Sequence, residues 1–387
     1  MTTKGQTLGE QAREQLIEAF LARAGWGDAA RSILAGDAST RSYDRLEGPK
    51  GVAVLMNAPP GAESAACPPD ADEASRRALG YNALARLAGP DARPFVAIAE
   101  FLTSHGFSAP RILAADYENG LLLLEDLGDA VYNRVIAAGE DELPLYETAI
   151  DALAALHRVA PPGALPLSQG GSVPLLAYDD VALGEEVRLL TDWYLPACTG
   201  KPTPAALETE FLALWREALR QLTNADEVLI LRDYHADNLI WLPERDGIAR
   251  VGMLDFQDGL CGHRAYDLVS LLEDARRDVA PLLAEQMLAR YASLAMEHDP
   301  AFDLEAFHRG YALLGLQRNT KILGIFARLW KRDGKPQYPS YMPRVWRYVE
   351  KDLAHPAVAP VKQWYDKHIP SEWRGDFLAR KAAEESA

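Results

Sequence analysis

The chain reads as an α+β protein in which a small lobe built on a mixed β-sheet precedes a larger, mainly helical lobe. Three observations predict this. Short apolar runs separated by turn residues crowd residues 33–124, apolar residues recur at helical spacing from Leu143 onward, and two late apolar runs, Val228–Leu231 and Val251–Leu254, each end just before an aspartate.

Taken in order, Leu8, Ala12, Leu16, Ile17, Phe20 and Leu21 predict an opening amphipathic helix. Ile33-Leu34 predicts a strand entering a turn at Gly36, Tyr43–Leu46 a strand leaving it, and Val52–Met56 a third strand. Residues 61–93, rich in Ala, Pro, Asp and Glu, read as an inserted, partly mobile segment with a short helix from Asp72 to Leu87. A helix over Pro94–Ser104 and strands over Arg111–Asp116 and Leu121–Leu124 complete the small lobe. Beyond it, Leu145, Ala149, Leu153 and Leu156 share one helical face, as do Leu183, Val187, Leu190 and Tyr194. With the boundary falling in Gly128–Leu143, residues 1–128 form one lobe and 129–387 the other.

Composition narrows the partners. Forty basic against 56 acidic residues give a net charge of −16, which repels nucleic acid and anionic membranes. Cys67, Cys198 and Cys261 are too few and too scattered for a disulfide framework or a zinc site. No apolar run reaches membrane-spanning length and no apolar signal core opens the chain, so a reducing cytoplasm is the expected setting. Nothing in the sequence calls for an obligate protein partner.

The chemistry is concentrated in Leu229-Ile-Leu-Arg-Asp-Tyr-His-Ala-Asp-Asn238 and Val251-Gly-Met-Leu-Asp-Phe-Gln-Asp258. One strand delivers Asp233 to a polar loop that closes at Asn238, and a second delivers Asp255. Phosphoryl transfer needs Mg²⁺ on the phosphates, an acceptor hydroxyl held in line, and a carboxylate to orient it and take its proton. Asp233 fits the base, while Asn238 and Asp255 offer hard oxygen ligands to Mg²⁺. Asp and Asn are also ordinary turn residues, but the flanking strands and the second aspartate favour a site.

Arg232-Asp233-x4-Asn238 followed by Asp255-Phe256 resembles the catalytic loop and metal-binding segment of the protein-kinase-like superfamily, and Asp-Tyr-His-x-x-Asn resembles its aminoglycoside phosphotransferase branch. Further segments occur in matching order: Gly36-Asp-Ala-Ser-Thr-Arg41, Leu55–Pro60, Leu123–Asp129, Asp192-Trp-Tyr-Leu195, Asp255-Phe-Gln-Asp258, Tyr266–Leu272, Gln317-Arg318 and Gly324–Leu329. Together they are similar to the anomeric N-acetylmuramate/N-acetylglucosamine kinases of bacterial cell-wall recycling, over most of residues 10–350. The resemblance implies a bilobal protein-kinase-like fold and ATP-dependent phosphorylation of an amino sugar at its anomeric hydroxyl. Two alternatives stay open: a kinase for another small hydroxylated acceptor, such as an aminoglycoside or choline, and a catalytically silent binding module.

In that scheme Arg232 accompanies Asp233 as the arginine before the catalytic aspartate, and the backbone of Glu125, Asp126 and Leu127 meets adenine. Gly200-Lys201-Pro202 cannot open a P-loop helix, so the turn carrying Ser39, Thr40 and Arg41 is expected to cover the phosphates. The third strand ends Leu55-Met56-Asn57 where a kinase carries lysine; Arg41, or else Arg45, is expected to replace it. Glu100, at the place of the lysine's helix partner, reads as a solvated charge. Asp267 reads as a helix cap or a partner of the catalytic-loop backbone. For the acceptor, Glu186, Asp192 and Trp193 lie on one helix and Gln317, Arg318, Asn319 and Lys321 on a late one, with His235 and Gln257 beside the catalytic and metal residues. Arg318 and Lys321 also suit the lactyl carboxylate that distinguishes N-acetylmuramate.

Overall fold

A computed structural model describes residues 8–34, 41–61, 64–222 and 227–386. The chain forms two compact units: Met1–Asp129 with Ala164–Pro174 and Gly252–Asp258, and Ala130–Gly163 with Leu175–Val251 and Gly259–Ala387.

The first unit is built on a five-stranded sheet of order β1-β2-β3-β5-β4, from β1 (Ala30–Leu34), β2 (Ser42–Gly48), β3 (Gly51–Asn57), β4 (Ile112–Asp116) and β5 (Leu121–Glu125). Every pairing in it is antiparallel. One face is covered by α1 (Leu8–Ala24), whose Ile17, Phe20 and Leu21 join Leu46, Ala53, Leu55, Leu121 and Leu123 in a buried core. Of the apolar stripe read from the sequence, Ile17, Phe20 and Leu21 face this core while Ala12 and Leu16 are exposed, and Arg13 donates from Nε to Asn57 Oδ1 at 3.0 Å.

The segment after β3 carries two helices where the sequence reading gave one. α2 (Glu73–Leu79) starts at the Asp72 cap, which accepts from Ser75 N at 2.8 Å, and α3 (Tyr81–Leu84) follows the break at Gly80, whose φ of 99° no helix continues through. The segment is packed, because buried Arg76 donates to the carbonyls of Ala83 and Leu84. Next comes α4 (Arg93–Ser104), with Pro94 in its first turn. Its Glu100 is not a solvated charge: it accepts from the backbone and hydroxyl of Ser168, between β6 (Ala164–Pro166) and β7 (Ser172–Pro174).

The second unit is mainly helical, with α5 (Tyr132–Ala137), α6 (Glu142–Leu156), α7 (Asp180–Leu189), α8 (Leu195–Thr199) and α9 (Ala205–Leu219). Strand β8 (Glu227–Ile230) pairs antiparallel with β11 (Leu260–His263); β9 (Leu239–Trp241) and β10 (Val251–Met253) lie between them in the chain. After β11 come α10 (Ala265–Leu272), α11 (Pro281–His298), α12 (Leu304–Lys331), α13 (Met342–Leu353), α14 (Ala359–His368) and α15 (Phe377–Ser386). The 28-residue α12 runs through the unit against α7, α10 and α13. Its Gly324 permits that approach, since a Cβ there would lie 2.4 Å from the Leu189 carbonyl carbon.

Between α7 and α8 the helix widens into a π turn over Leu190–Tyr194, where Leu195 N bonds the carbonyl of Leu190. The cause is local: Pro196 has no N–H to offer the carbonyl of Asp192, four residues earlier. Leu183, Val187, Leu190 and Tyr194, predicted to share one helical face, are all buried across this turn. Among the described residues no helix is long and apolar enough to cross a membrane.

Candidate active site

In the second unit, the pairing of Ile230 with Leu260 ends β8 just before the loop that carries Asp233. The loop is held largely by its own backbone. Asp233 N donates to Leu231 O at 2.9 Å, His235 N to Asp233 O at 3.1 Å, and Asn238 N to His235 O at 2.8 Å. Neighbours complete the hold: Asn133 Nδ2 donates to Asp237 Oδ1 at 2.7 Å, and Tyr234 OH to Ala149 O at 2.8 Å.

Asp267, the residue read from sequence as a cap or a loop partner, is the second. Its buried carboxylate accepts from Leu231 N at 2.6 Å and from Arg232 N at 2.8 Å. Burial pushes that carboxyl up to about 7, against the pull of the two backbone donors, with Asp233 adding to the rise. Arg232 itself adopts φ of 69°, a left-handed conformation that costs a non-glycine residue about 1–3 kcal/mol and persists only when its surroundings fix it.

The Arg232 side chain, predicted to belong to the catalytic set, turns into the protein: it is 3% exposed and pairs with Glu186. Glu186, predicted to meet the acceptor, has 0% exposure and is surrounded by protein donors: Arg232, Lys321 Nζ at 2.9 Å, Gln317 Nε2 at 3.1 Å and Tyr178 OH. Lys321 also donates to Tyr266 OH at 3.2 Å, and Arg232 stacks over the Tyr178 ring at 5.0 Å. Burial penalises the Glu186 charge, but Lys321 and Arg232 hold its carboxyl below the ordinary range.

Asp233 is half-buried, and desolvation raises its carboxyl. The positive field of Lys321, His235, Arg318 and Arg232 outweighs that term and keeps the group ionised below its usual range. An ionised carboxylate at the end of a strand, on a loop fixed at both ends, is the state a base for hydroxyl activation requires. Asn238 turns its amide nitrogen back to Asp233 O at 3.0 Å and to His235 Nε2 at 3.3 Å. His235 Nδ1 is buried without a hydrogen-bond partner. Arg318 is buried, donates from Nη2 to Ser270 Oγ at 2.9 Å, and leaves Nη1 unpartnered. Gln317 and Asn319 are fully buried and bonded within the protein, Asn319 to Glu273 at 2.6 Å. Asp192 and Trp193 sit on the π turn, Asp192 exposed and Trp193 half-buried. Partial burial and the charge of Glu208 raise the Asp192 carboxyl to about 6, with Arg188 opposing.

In the first unit, Asp255 ends the run through β10, whose Met253 N donates to Ser108 O at 2.7 Å. Its φ of 57° turns it out of the strand direction, and it accepts from Gln257 Nε2 at 2.9 Å. Phe256 is buried and stacks on Phe95 of α4 with centroids 4.8 Å apart, while Asp258 accepts from Ala88 N at 2.6 Å. Gln257 is buried, and its Oε1 has no partner. Asn238 in the second unit and Asp255 in the first each carry a hard oxygen donor of the kind Mg²⁺ takes.

The nucleotide-side expectations divide. Ser39 and Thr40 lie outside the described residues. Met56, at the lysine position, is fully buried and sits opposite Tyr43 across β2 and β3. Arg45 is committed to Asp126 at 2.6 Å and Asp129 at 2.7 Å. Arg41 donates to Gly89 O at 3.0 Å, and its charge reaches the Tyr43 hydroxyl. That hydroxyl is pushed up to about 12 by burial, further by the Asp255 carboxylate, and is pulled down by Arg41. Arg41 thus shares a neighbour with Asp255 that Arg45 does not. Glu125 closes β5 with its N–H bonded to Arg111 O at 2.9 Å, and Leu127 follows, nearly buried.

The match of residues 31–307 to the model of the phosphotransferase enzyme family shows that the chain belongs to that family, as a small-molecule kinase. It is 48% identical over 363 residues, 94% of this chain and 98% of the other, to the N-acetylmuramate/N-acetylglucosamine kinase of Caulobacter vibrioides. It is 36% identical to the protein of the same name from Pseudomonas aeruginosa, with 88% of this chain and 89% of the relative covered. Among solved structures, a microcompartment-associated aminopropanol kinase superposes with a TM-score of 0.54 at 14% identity, covering 88% of this chain and 99% of that one. A choline/ethanolamine kinase family protein from Mesorhizobium loti does so with 0.53 at 15% identity, covering 92% and 100%. At such identities the two structures speak for the fold alone.

Proposed function

We propose that this protein transfers the γ-phosphoryl group of ATP to the anomeric hydroxyl of N-acetylmuramate or N-acetylglucosamine, giving the sugar 1-phosphate for peptidoglycan recycling in the cytoplasm. The observation that carries the chemistry is the ionised Asp233 carboxylate on a loop fixed by Asp267 and by its own backbone. The acceptor is supported by the names of relatives aligned along nearly the whole chain, two of them at 48% and 36% identity.

In this mechanism Asp233 accepts the proton of the acceptor hydroxyl as its oxygen attacks the γ-phosphorus. Asn238 and Asp255 would hold Mg²⁺, which would supply neutralisation of the charge developing on the phosphates. Ser39, Thr40 and Arg41 cover the phosphates. Because the Glu125 N–H is already bonded, adenine pairs with the Glu125 carbonyl and the backbone of Leu127. His235 and Gln257, each with a buried polar atom lacking a partner, and Asp192 and Trp193 on the π turn are assigned to the acceptor or the phosphates in this reading. Arg318 offers its unpartnered Nη1 to the lactyl carboxylate.

The test is an acceptor panel with γ-labelled ATP: N-acetylmuramate, N-acetylglucosamine, an aminoglycoside, choline and no acceptor, with the product analysed by phosphorus NMR. The reading expects fastest transfer to an N-acetylated sugar and a phosphate coupled to the anomeric proton. Preferred transfer to choline or an aminoglycoside, or a phosphate on another carbon, overturns it.

A further inference from the structure

The strongest feature outside the proposed chemistry is the buried charge cluster beneath the catalytic loop. Glu186 on α7 gathers Arg232, Lys321, Gln317 and Tyr178, and Gln317 also donates to Leu183 O at 3.2 Å. An acceptor contact would present its carboxylate to solvent, whereas Glu186 has none exposed. Its partner Arg232 is the residue immediately before Asp233, and it sits in a left-handed conformation that needs outside support. Asp267 grips the Arg232 amide at 2.8 Å from one side, and Glu186 grips its guanidinium from the other. Glu186 and Asp233 carry two negative charges, Arg232 and Lys321 two positive ones, so the set is neutral and can stay buried.

We propose that Glu186 is a positioning residue: it fixes the strained Arg232 backbone, and so the direction in which Asp233 leaves the strand, without touching the acceptor. Lys321 is its second counter-charge, held by Glu186 and Tyr266. This rests on Asp233 being the base, but not on which acceptor the enzyme uses. Removing Glu186 alone leaves an excess buried positive charge, so the informative variant removes both members of the pair and keeps the set neutral.

The experiment is a double-mutant cycle of Glu186→Gln, Arg232→Gln and the two combined, run with whichever acceptor the wild type phosphorylates fastest. Each single variant should lose at least tenfold in kcat, and the double should be no slower than the slower single, because the two residues act through one contact. KM for acceptor and for ATP should stay within about threefold throughout. A tenfold rise in acceptor KM with kcat retained overturns the proposal in favour of direct acceptor binding. Multiplying kcat losses also overturn it, and so does a charge-balanced double variant with wild-type kcat. A readout independent of activity accompanies the cycle: the backbone amides at positions 231 and 232 should exchange hydrogen faster in the double variant than in the wild type. Unchanged exchange contradicts the proposal even if the acceptor assignment fails.

Discussion

The catalytic loop of the second unit and the β2–β3 pair of the first differ in how they hold charge. In the loop Asn238 is held by Asp233 O, Asp237 by Asn133, and the backbone at Arg232 by Asp267. On β2 and β3 the expected cation has been exchanged for the buried Met56, and the nearest arginines serve different partners, Arg45 the carboxylates of Asp126 and Asp129 and Arg41 the carbonyl of Gly89. A base must be placed to a fraction of an ångström, so its supports cannot move. A cation that stabilises phosphate charge acts over a longer range and can be supplied from another position.

The sharpest way to break this contrast is at Asp233. Asp233→Asn keeps shape and loses the base, so steady-state kcat should fall by about 10²–10⁴. Asp255→Ala comes next: Mg²⁺-ATP affinity measured by calorimetry should drop by about tenfold or more, the loss of one charged metal ligand. Unchanged affinity would remove Asp255 from the metal site. The two arginines should then separate. Arg41→Gln should raise the KM for ATP by roughly three- to tenfold, one exposed-to-half-buried charge interaction with phosphate. Arg45→Gln should leave that KM within about twofold and lower unfolding stability by about 1 kcal/mol, the worth of a partly screened ion pair. The reverse pattern would assign the phosphate cation to Arg45.

The smallest effect is expected at Tyr43. With its hydroxyl pushed up to about 12, the group stays protonated below that value and contributes no ionisation between pH 6 and 9. Tyr43→Phe should therefore leave the shape of the pH–rate profile unchanged across that range. An alkaline limb that disappears in the variant would show that the phenol ionises at working pH.

What the sequence made legible follows from distance along the chain. The loop from Arg232 to Asn238 could be read because its polar residues are contiguous, although bonds that fix it come from Asn133, Ala149 and Asp267, distant along the chain; Asp267 could be read because it heads a leucine-rich helix that follows a strand. The break at Gly80 was available from glycine's helix cost and went unread. The place of Glu186 was not available: its partners lie 46 residues away at Arg232 and 135 away at Lys321, and only packing of α7 on α12 brings them together. The π turn that displays Asp192 and Trp193 had a single cue, Pro196 inside a helical pattern. An amphipathic reading treats every charge on a helix as solvated or functional, so it assigned Glu186, Gln317 and Lys321 to an acceptor when they are bonded to one another.

The central claim is that Asp233 acts in the transfer step itself, and single-turnover kinetics test it most directly. Enzyme saturated with Mg²⁺ and labelled ATP is mixed with acceptor, for wild type and Asp233→Asn, so that nucleotide binding drops out of the comparison. The account predicts full nucleotide occupancy in both and a transfer rate lower by two or more powers of ten in the variant. Equal transfer rates, or a deficit that vanishes as ATP is raised, would contradict it.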